Sequence, residues 1–353
     1  MPYLTFQNIG ISGMAAALPR TVIDNYAYTA FFPEKDVKEI VDKIGVYQRR
    51  FADAKTCASD LCFAAAEKLI SDLQINREEI GLLVFMSQTP DYRMPATSIL
   101  LQDRLSLPRN TITFDVSLGC SGFIYALSIA YAFMQSQPSI KKALILDGET
   151  RSKVYSPKDR KTAFLFGDAG IAALIERNEN FGTSWFSMNV DGAHADLIKI
   201  EAGGYRLPSS EETVKERVVD EYGNIRSLEQ AYMNGGDVFN FVIREVPRDF
   251  QSLLSYSNID PSQIDYFILH QANSYINNYL VKKLKIDPKK VPSTIAKFGN
   301  TSSVSIPLTI VSELKNKLNS KTNLLLCGFG VGLSWATSII TVDRCHLSEL
   351  VEV

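Results

Sequence analysis

The sequence has 353 residues, 46% of them apolar and 22% charged, with a net charge of −2 at neutral pH. That length suits two packed units around a large core better than one small domain, and the near balance of charge argues against a nucleic-acid-binding surface. Residues 1–20 lack a basic stretch before an apolar run, and the longest apolar stretches, 122–134 and 163–175, are too short to span a bilayer, so a cytoplasmic protein with no membrane contact is expected.

The first strand expected to be buried is 79–88, where Ile80-Gly81-Leu82-Leu83-Val84-Phe85-Met86 runs between polar ends. A second, Thr111 to Val116, leads through Leu118-Gly119-Cys120-Ser121-Gly122 into a helix. Phe123, Ala126, Leu127, Ala130, Tyr131 and Met134 repeat on one helical face, and Pro138 lies just past its end. Further strands are expected at 142–148 and 170–175. A boundary between two halves, 1–180 and 181–353, is then expected in the stretch 176–185. After it comes a long charged segment, 201–234, with the character of a lid or a substrate-specific loop.

The second half repeats the plan. Ile264 to His270 answers the first strand, and Ser293 to Ala296 the second. Phe298-Gly299-Asn300-Thr301-Ser302-Ser303 answers the Cys120 turn and also precedes a helix. The stretches 323–328 and 336–341 answer the last two strands. Four elements in the same order read as an internal duplication of an α/β unit, although strand–helix–strand echoes also arise by chance. In related halves, loops at equivalent strand ends meet at the interface, and Cys120, His270 and Asn300 all sit at such ends.

Each of these three has a bland reading. There are five cysteines, at irregular spacing, and three histidines, with no Cys-x-x-Cys or His-x-x-x-His pair to suggest zinc. Cys120 has the pattern of a small buried thiol. It also opens a helix, where unpaired amides and the dipole favour thiolate, so a lowered pKa and a nucleophilic role are expected. His270, at a strand end, suits proton transfer or hydrogen-bond donation as well as a structural role. Asn300 suits an N-cap. The run Gly328-Phe329-Gly330-Val331-Gly332 lacks the spacing of a dinucleotide fingerprint, and such a tight turn can aim amides at a developing oxyanion.

Taken together, Asp115-Val116-Ser117-Leu118-Gly119-Cys120-Ser121-Gly122-Phe123, Phe166-Gly167-Asp168, His270-Gln271-Ala272-Asn273, Gly299-Asn300-Thr301-Ser302 and Gly328-Phe329-Gly330-Val331-Gly332-Leu333-Ser334-Trp335 resemble the beta-ketoacyl-acyl carrier protein synthase III family of the thiolase superfamily, over nearly the whole chain. The resemblance implies an α/β, thiolase-like fold, five layers in α-β-α-β-α order. It implies that Cys120 takes an acyl group from a coenzyme A or phosphopantetheine thioester. His270 and Asn300 then hold the carbonyl of malonyl-acyl carrier protein through decarboxylation, and the resulting enolate attacks the acyl-Cys120. The amides of Cys120 and Val331 would form the oxyanion hole. Met94, Phe329 and Leu333 would shape the substrate pocket, with Met94 reaching across a homodimer. Lys282 and Lys283 would meet the acidic carrier protein. No metal or redox cofactor is called for.

The sequence departs from the family where an adenine-stacking Trp is usual: the nearest residue is Glu39, and Lys43 stands for an Arg. Tyr275 stands for a carrier-docking Arg. These changes put coenzyme A stacking in question and suit a specialised paralogue. The rivals are an acyltransferase moving the Cys120-bound group to a hydroxyl or amine, a non-catalytic partner subunit, and a thiolase proper.

Overall fold

The computed structural model describes residues 3–353. Two sheets form its centre. In the first, Ile80–Met86 runs parallel to Ile112–Val116 on one side and to Lys142–Thr150 on the other. Antiparallel Asp168–Arg177 and then antiparallel Ile9–Leu18 follow outward. In the second, Tyr266–Leu269 runs parallel to Thr322–Gly330. Antiparallel Ser334–Val342, antiparallel Thr183–Val190 and antiparallel Tyr3–Gln7 follow. The shared series of one parallel and two antiparallel pairings is the duplication in three dimensions.

Alternation along the strands sets the layers. Leu82, Val84 and Ile145 point into a central core with Leu324, Leu326 and Ile340 of the other sheet. Leu83, Phe85, Leu144 and Leu146 point the opposite way, onto Leu61, Ala65 and Leu69 of the helix Ala58–Leu73. Both faces are therefore covered, as a near-continuous apolar strand requires. Each fully buried Leu or Phe contributes roughly 1.5–3 kcal/mol over its exposed state. The helices Gly122–Ser136 and Ser305–Glu313 fill the space between the sheets, and Gly235–Ser257 covers the outside of the second. The result is the five-layer thiolase-like arrangement of two pseudo-symmetric halves.

Three features differ from expectation. Ser293 to Ala296 is not a strand: a short helix, Ile295–Phe298, stands there. Ser293 Oγ and the Thr294 amide both donate to Gln271 Oε1, and Thr294 Oγ1 bonds Thr309 Oγ1. These local side-chain bonds take the place of a ladder, so Tyr266–Leu269 is the edge of its sheet. The ends of the chain also cross over. Tyr3–Gln7 pairs in the second sheet, while His346–Leu347 and Val351–Glu352 pair with Ile9–Leu18 in the first. A division at residue 180 thus leaves short strands on either side of it. Finally, the charged segment 201–234 is closed at its base by pairing of Ile198–Lys199 with Tyr232–Met233. It is clasped to residues 154–161 by Lys158–Glu216 and Lys161–Asp220 ion pairs and by the Ala231 amide on the Val154 carbonyl. Among the described residues, no helix is long and apolar enough to cross a membrane.

Candidate active site

Cys120 stands in the turn between Ile112–Val116 and Gly122–Ser136. Glycines make close packing around it possible, within the first half at Gly122 and between the halves at Gly328 and Gly330. A Cβ at Gly122 would sit 2.2 Å from Met86 Cε, one at Gly328 would sit 2.7 Å from the Cys120 carbonyl oxygen, and one at Gly330 would sit 2.7 Å from Cys120 Sγ. The Gly-rich turn of the second half therefore lies directly on the thiol.

His270 extends Tyr266–Leu269 by one ladder bond, its amide donating to the Cys327 carbonyl at 2.8 Å. Its Nδ1 lies 2.7 Å from Ser305 Oγ, and that oxygen accepts from the Gln271 amide at 3.3 Å. The Ser305 hydroxyl can give its proton to Nδ1, and in the tautomer with that bond the ring proton is on Nε2. Asn300 is oriented by a second constraint. Its Oδ1 accepts from the Ser302 amide at 2.9 Å, with Ser302 in the left-handed region at φ 57°. The Nδ2 end is thereby turned inward, 3.4 Å from His270 Nε2. Nδ2 also donates to the Ala272 carbonyl at 3.4 Å, and with the ring proton on Nε2 the two N–H groups cannot satisfy each other. They converge on a site where one acceptor oxygen can take both.

Cys120, His270 and Asn300 line one cavity of about 80 Å³, walled by Leu165, Phe166, Ile198, Met233, Val238 and Phe329. All three are nearly solvent-free, and the Phe329 ring meets the imidazole edge-on at 5.4 Å. Burial pulls His270 down to about 3, opposed by a hydrogen bond to the Ser302 backbone, so the ring is a neutral donor. A pH profile of condensation should therefore show no acid limb at the ordinary histidine value of about 6.5. Steady-state rates between pH 5 and 8 check this, and a limb there that is lost in His270→Gln would contradict it.

The thiol departs from expectation. Burial pushes Cys120 up rather than down; the Arg151 charge, the Val331 amide and the Ser302 side chain work against the shift without reversing it. The helix end does not prevail because Ser121, not Cys120, is the N-cap, and the Gly-rich turn seals the sulfur from water.

Of the other expected residues, Phe329 and Val331 line the cavity and Leu333 does not, being packed in the core beneath the second sheet. Met94 is 77% exposed on the surface of the single chain. Lys282 lies in a surface cleft with Lys43, Tyr47, Tyr275 and Tyr279, beside exposed Lys283. Sequence reasoning missed Arg151, Tyr155, Met233 and Ser305. Only the position of Arg151 just past a strand end offered a signal.

Two family models match the chain: 3-oxoacyl-[acyl-carrier-protein] synthase III over residues 114–192, and the C-terminal region of the same synthase over 254–342. A beta-ketoacyl-[acyl-carrier-protein] synthase III of Clostridioides difficile is 36% identical over 332 residues, 94% of this chain and 97% of the relative. One of Caldanaerobacter subterraneus is 32% identical over 94% of this chain and 97% of its own length. A crystal structure of 3-oxoacyl-(acyl-carrier protein) synthase from Burkholderia xenovorans superposes with a TM-score of 0.93 at 36% identity, covering 100% of this chain and 99% of the other. The Aquifex aeolicus synthase III structure gives 0.78 at 28% identity, over 94% and 99%.

Proposed function

The chain belongs to the beta-ketoacyl-[acyl-carrier-protein] synthase III family, and from that premise we propose that it condenses an acyl primer with malonyl-acyl carrier protein through a Cys120 thioester. The observation that carries the reading is the convergence of His270 Nε2 and Asn300 Nδ2, 3.4 Å apart, in the cavity that holds the Cys120 thiol.

In the first half-reaction the Cys120 sulfur attacks the primer carbonyl. A carbon–sulfur bond forms, the bond to the carrier thiol breaks, and the thiol proton leaves with the departing thiol. The Cys120 and Val331 amides are the donors for the tetrahedral oxyanion. In the second, the malonyl thioester carbonyl sits between His270 and Asn300. The carbon–carbon bond to the carboxylate breaks, carbon dioxide leaves, the electron pair of that bond becomes the enolate, and both donors bind the oxygen that gains the charge. They act more strongly on that enolate than on the resting carbonyl, which is what lowers the barrier. The enolate carbon attacks acyl-Cys120, the acyl–sulfur bond breaks, and the departing Cys120 thiolate takes a proton from water to become the thiol again.

The cleft with Lys43 and Lys282, flanked by Lys283, supports docking of an acidic carrier protein by charge complementarity. A homodimer goes with this reading: Tyr92, Met94 and Ile99 stand exposed along one stretch, which a second copy would cover. The covalent intermediate predicts parallel double-reciprocal lines when primer and malonyl-carrier are varied together, with carbon dioxide released only when both are present. Intersecting lines, or acyl transfer to a hydroxyl or amine without carbon dioxide, would contradict it.

A further inference from the structure

One charged group in the cavity has no part in those steps. Arg151 is 6% exposed and lines the same space as Cys120. Its Nη2 donates to the Tyr155 hydroxyl at 2.8 Å and its Nη1 to Gln88 Oε1 at 3.4 Å, while its Nε has no partner. The guanidinium lies over the rings of Tyr155 and Phe166, which stack on each other at 3.9 Å. Its charge is balanced by fully buried Glu149, 3.9 Å away, which also accepts from the Gln88 amide and Thr89 Oγ1.

Tyr155 completes the arrangement. It is 7% exposed and lines the cavity. Its oxygen accepts from Arg151, and among the described residues nothing accepts its proton. A hydroxyl whose lone pair is held by a guanidinium is a strengthened donor. A wall built only for a hydrocarbon chain gains nothing from a buried cation and an unclaimed phenolic proton, since desolvating polar groups without partners is unfavourable.

Resting on the condensing reading above, we propose that Tyr155, positioned by Arg151, is a specificity-determining donor for the primer. The preferred primer then carries a neutral oxygen acceptor, a ketone or hydroxyl, a short distance along its acyl chain. Neutral is favoured over carboxylate because Glu149 already balances Arg151, and a second carboxylate would leave a net negative charge in a dry site. The clasped segment 201–234 fits the same role. The Ala231 amide on the Val154 carbonyl and the Ser156 hydroxyl on the Ile225 carbonyl fix the backbone on both sides of Tyr155.

The test measures initial rates of Cys120 acylation by intact mass, with four pantetheine thioesters matched at four carbons: butyryl, 3-hydroxybutyryl, acetoacetyl and succinyl. The wild-type protein should favour the better of the two 3-oxygenated primers over butyryl by about tenfold or more, because a site built to bond an oxygen discriminates against the analogue lacking it. Tyr155→Phe, which keeps the ring stack, should lower that ratio at least about fivefold, and Arg151→Met should lower it too by releasing the hydroxyl. Butyryl acylation as fast as the oxygenated primers, or an unchanged ratio in Tyr155→Phe, overturns the inference, as does a preference for succinyl. If butyryl is preferred and butyryl-enzyme still condenses with malonyl-carrier, the inference fails and the condensing reading stands. If none of the four acylates Cys120, both fail.

Discussion

Cys120→Ser protein offered an acyl thioester is expected to show no mass increase, where the wild type gains one acyl group per chain. Condensation should fall by about a thousandfold or more, since removing a covalent nucleophile takes away the pathway rather than one contact. The expectation is specific to one thiol out of five. Cys62, Cys327 and Cys345 are buried away from the cavity and pushed up by desolvation, Cys327 and Cys345 to about 12. Cys57 is partly exposed and is also pushed up by burial. None of the four lines the space with His270 and Asn300. Serine keeps nearly the shape of cysteine, so a folded variant with an intact cavity is expected. Far-ultraviolet circular dichroism and the melting temperature check that. A Cys120→Ser protein that still forms the adduct at the wild-type rate would move the nucleophile elsewhere.

Asn300→Asp should separate the two half-reactions. The substitution keeps size and shape but replaces the inward Nδ2 donor with a carboxylate oxygen. Loss of one oxyanion donor typically costs a factor of 10²–10³, and placing negative charge beside a developing enolate adds to that. Condensation and carbon dioxide release should therefore fall by at least about a hundredfold. Acylation of Cys120 should continue, because its oxyanion donors are the backbone amides of Cys120 and Val331. Burst-phase acylation followed by a malonyl-carrier chase reads both steps in one experiment. Equal loss in the two steps would mean that Asn300 serves the fold rather than the enolate.

Much of this was legible in the chain, and the reasons are physical. The segment Ile80 to Met86 announces a strand covered on both faces because both of its alternating sets are apolar, and the structure puts Leu82 and Val84 in one core and Leu83 and Phe85 in another. Cys120, His270 and Asn300 were singled out because they stand at equivalent strand ends of the two halves and in motifs that resemble the family's, and the structure gathers them in one cavity. What escaped depends on contacts distant in sequence. The upward push on the Cys120 thiol comes from a Gly-rich turn some 210 residues away, which no helix-dipole argument foresees. The helical Ile295–Phe298 replaces an expected strand because Gln271 and Thr309 reach in to bind it. Arg151 reads as an ordinary surface cation until Gln88, Glu149, Tyr155 and Phe166 close around it. Leu333, by contrast, was a pocket residue by resemblance alone; it stands in the turn before Ser334–Val342 and packs into the core on the outer side of the second sheet.

The central claim is that the Cys120-bound acyl group is consumed by an enolate made beside His270 and Asn300. A single-turnover chase tests it most directly: protein loaded with one labelled acyl group on Cys120, freed of excess primer, is mixed with malonyl-acyl carrier protein. Adduct, carbon dioxide and carrier-bound product are then followed in time. The account predicts that the adduct vanishes as carbon dioxide and a carrier-bound beta-ketoacyl chain appear, one for one and with a common rate constant. Loss of the adduct without carbon dioxide, or label recovered as free acid or as an ester or amide, would contradict it.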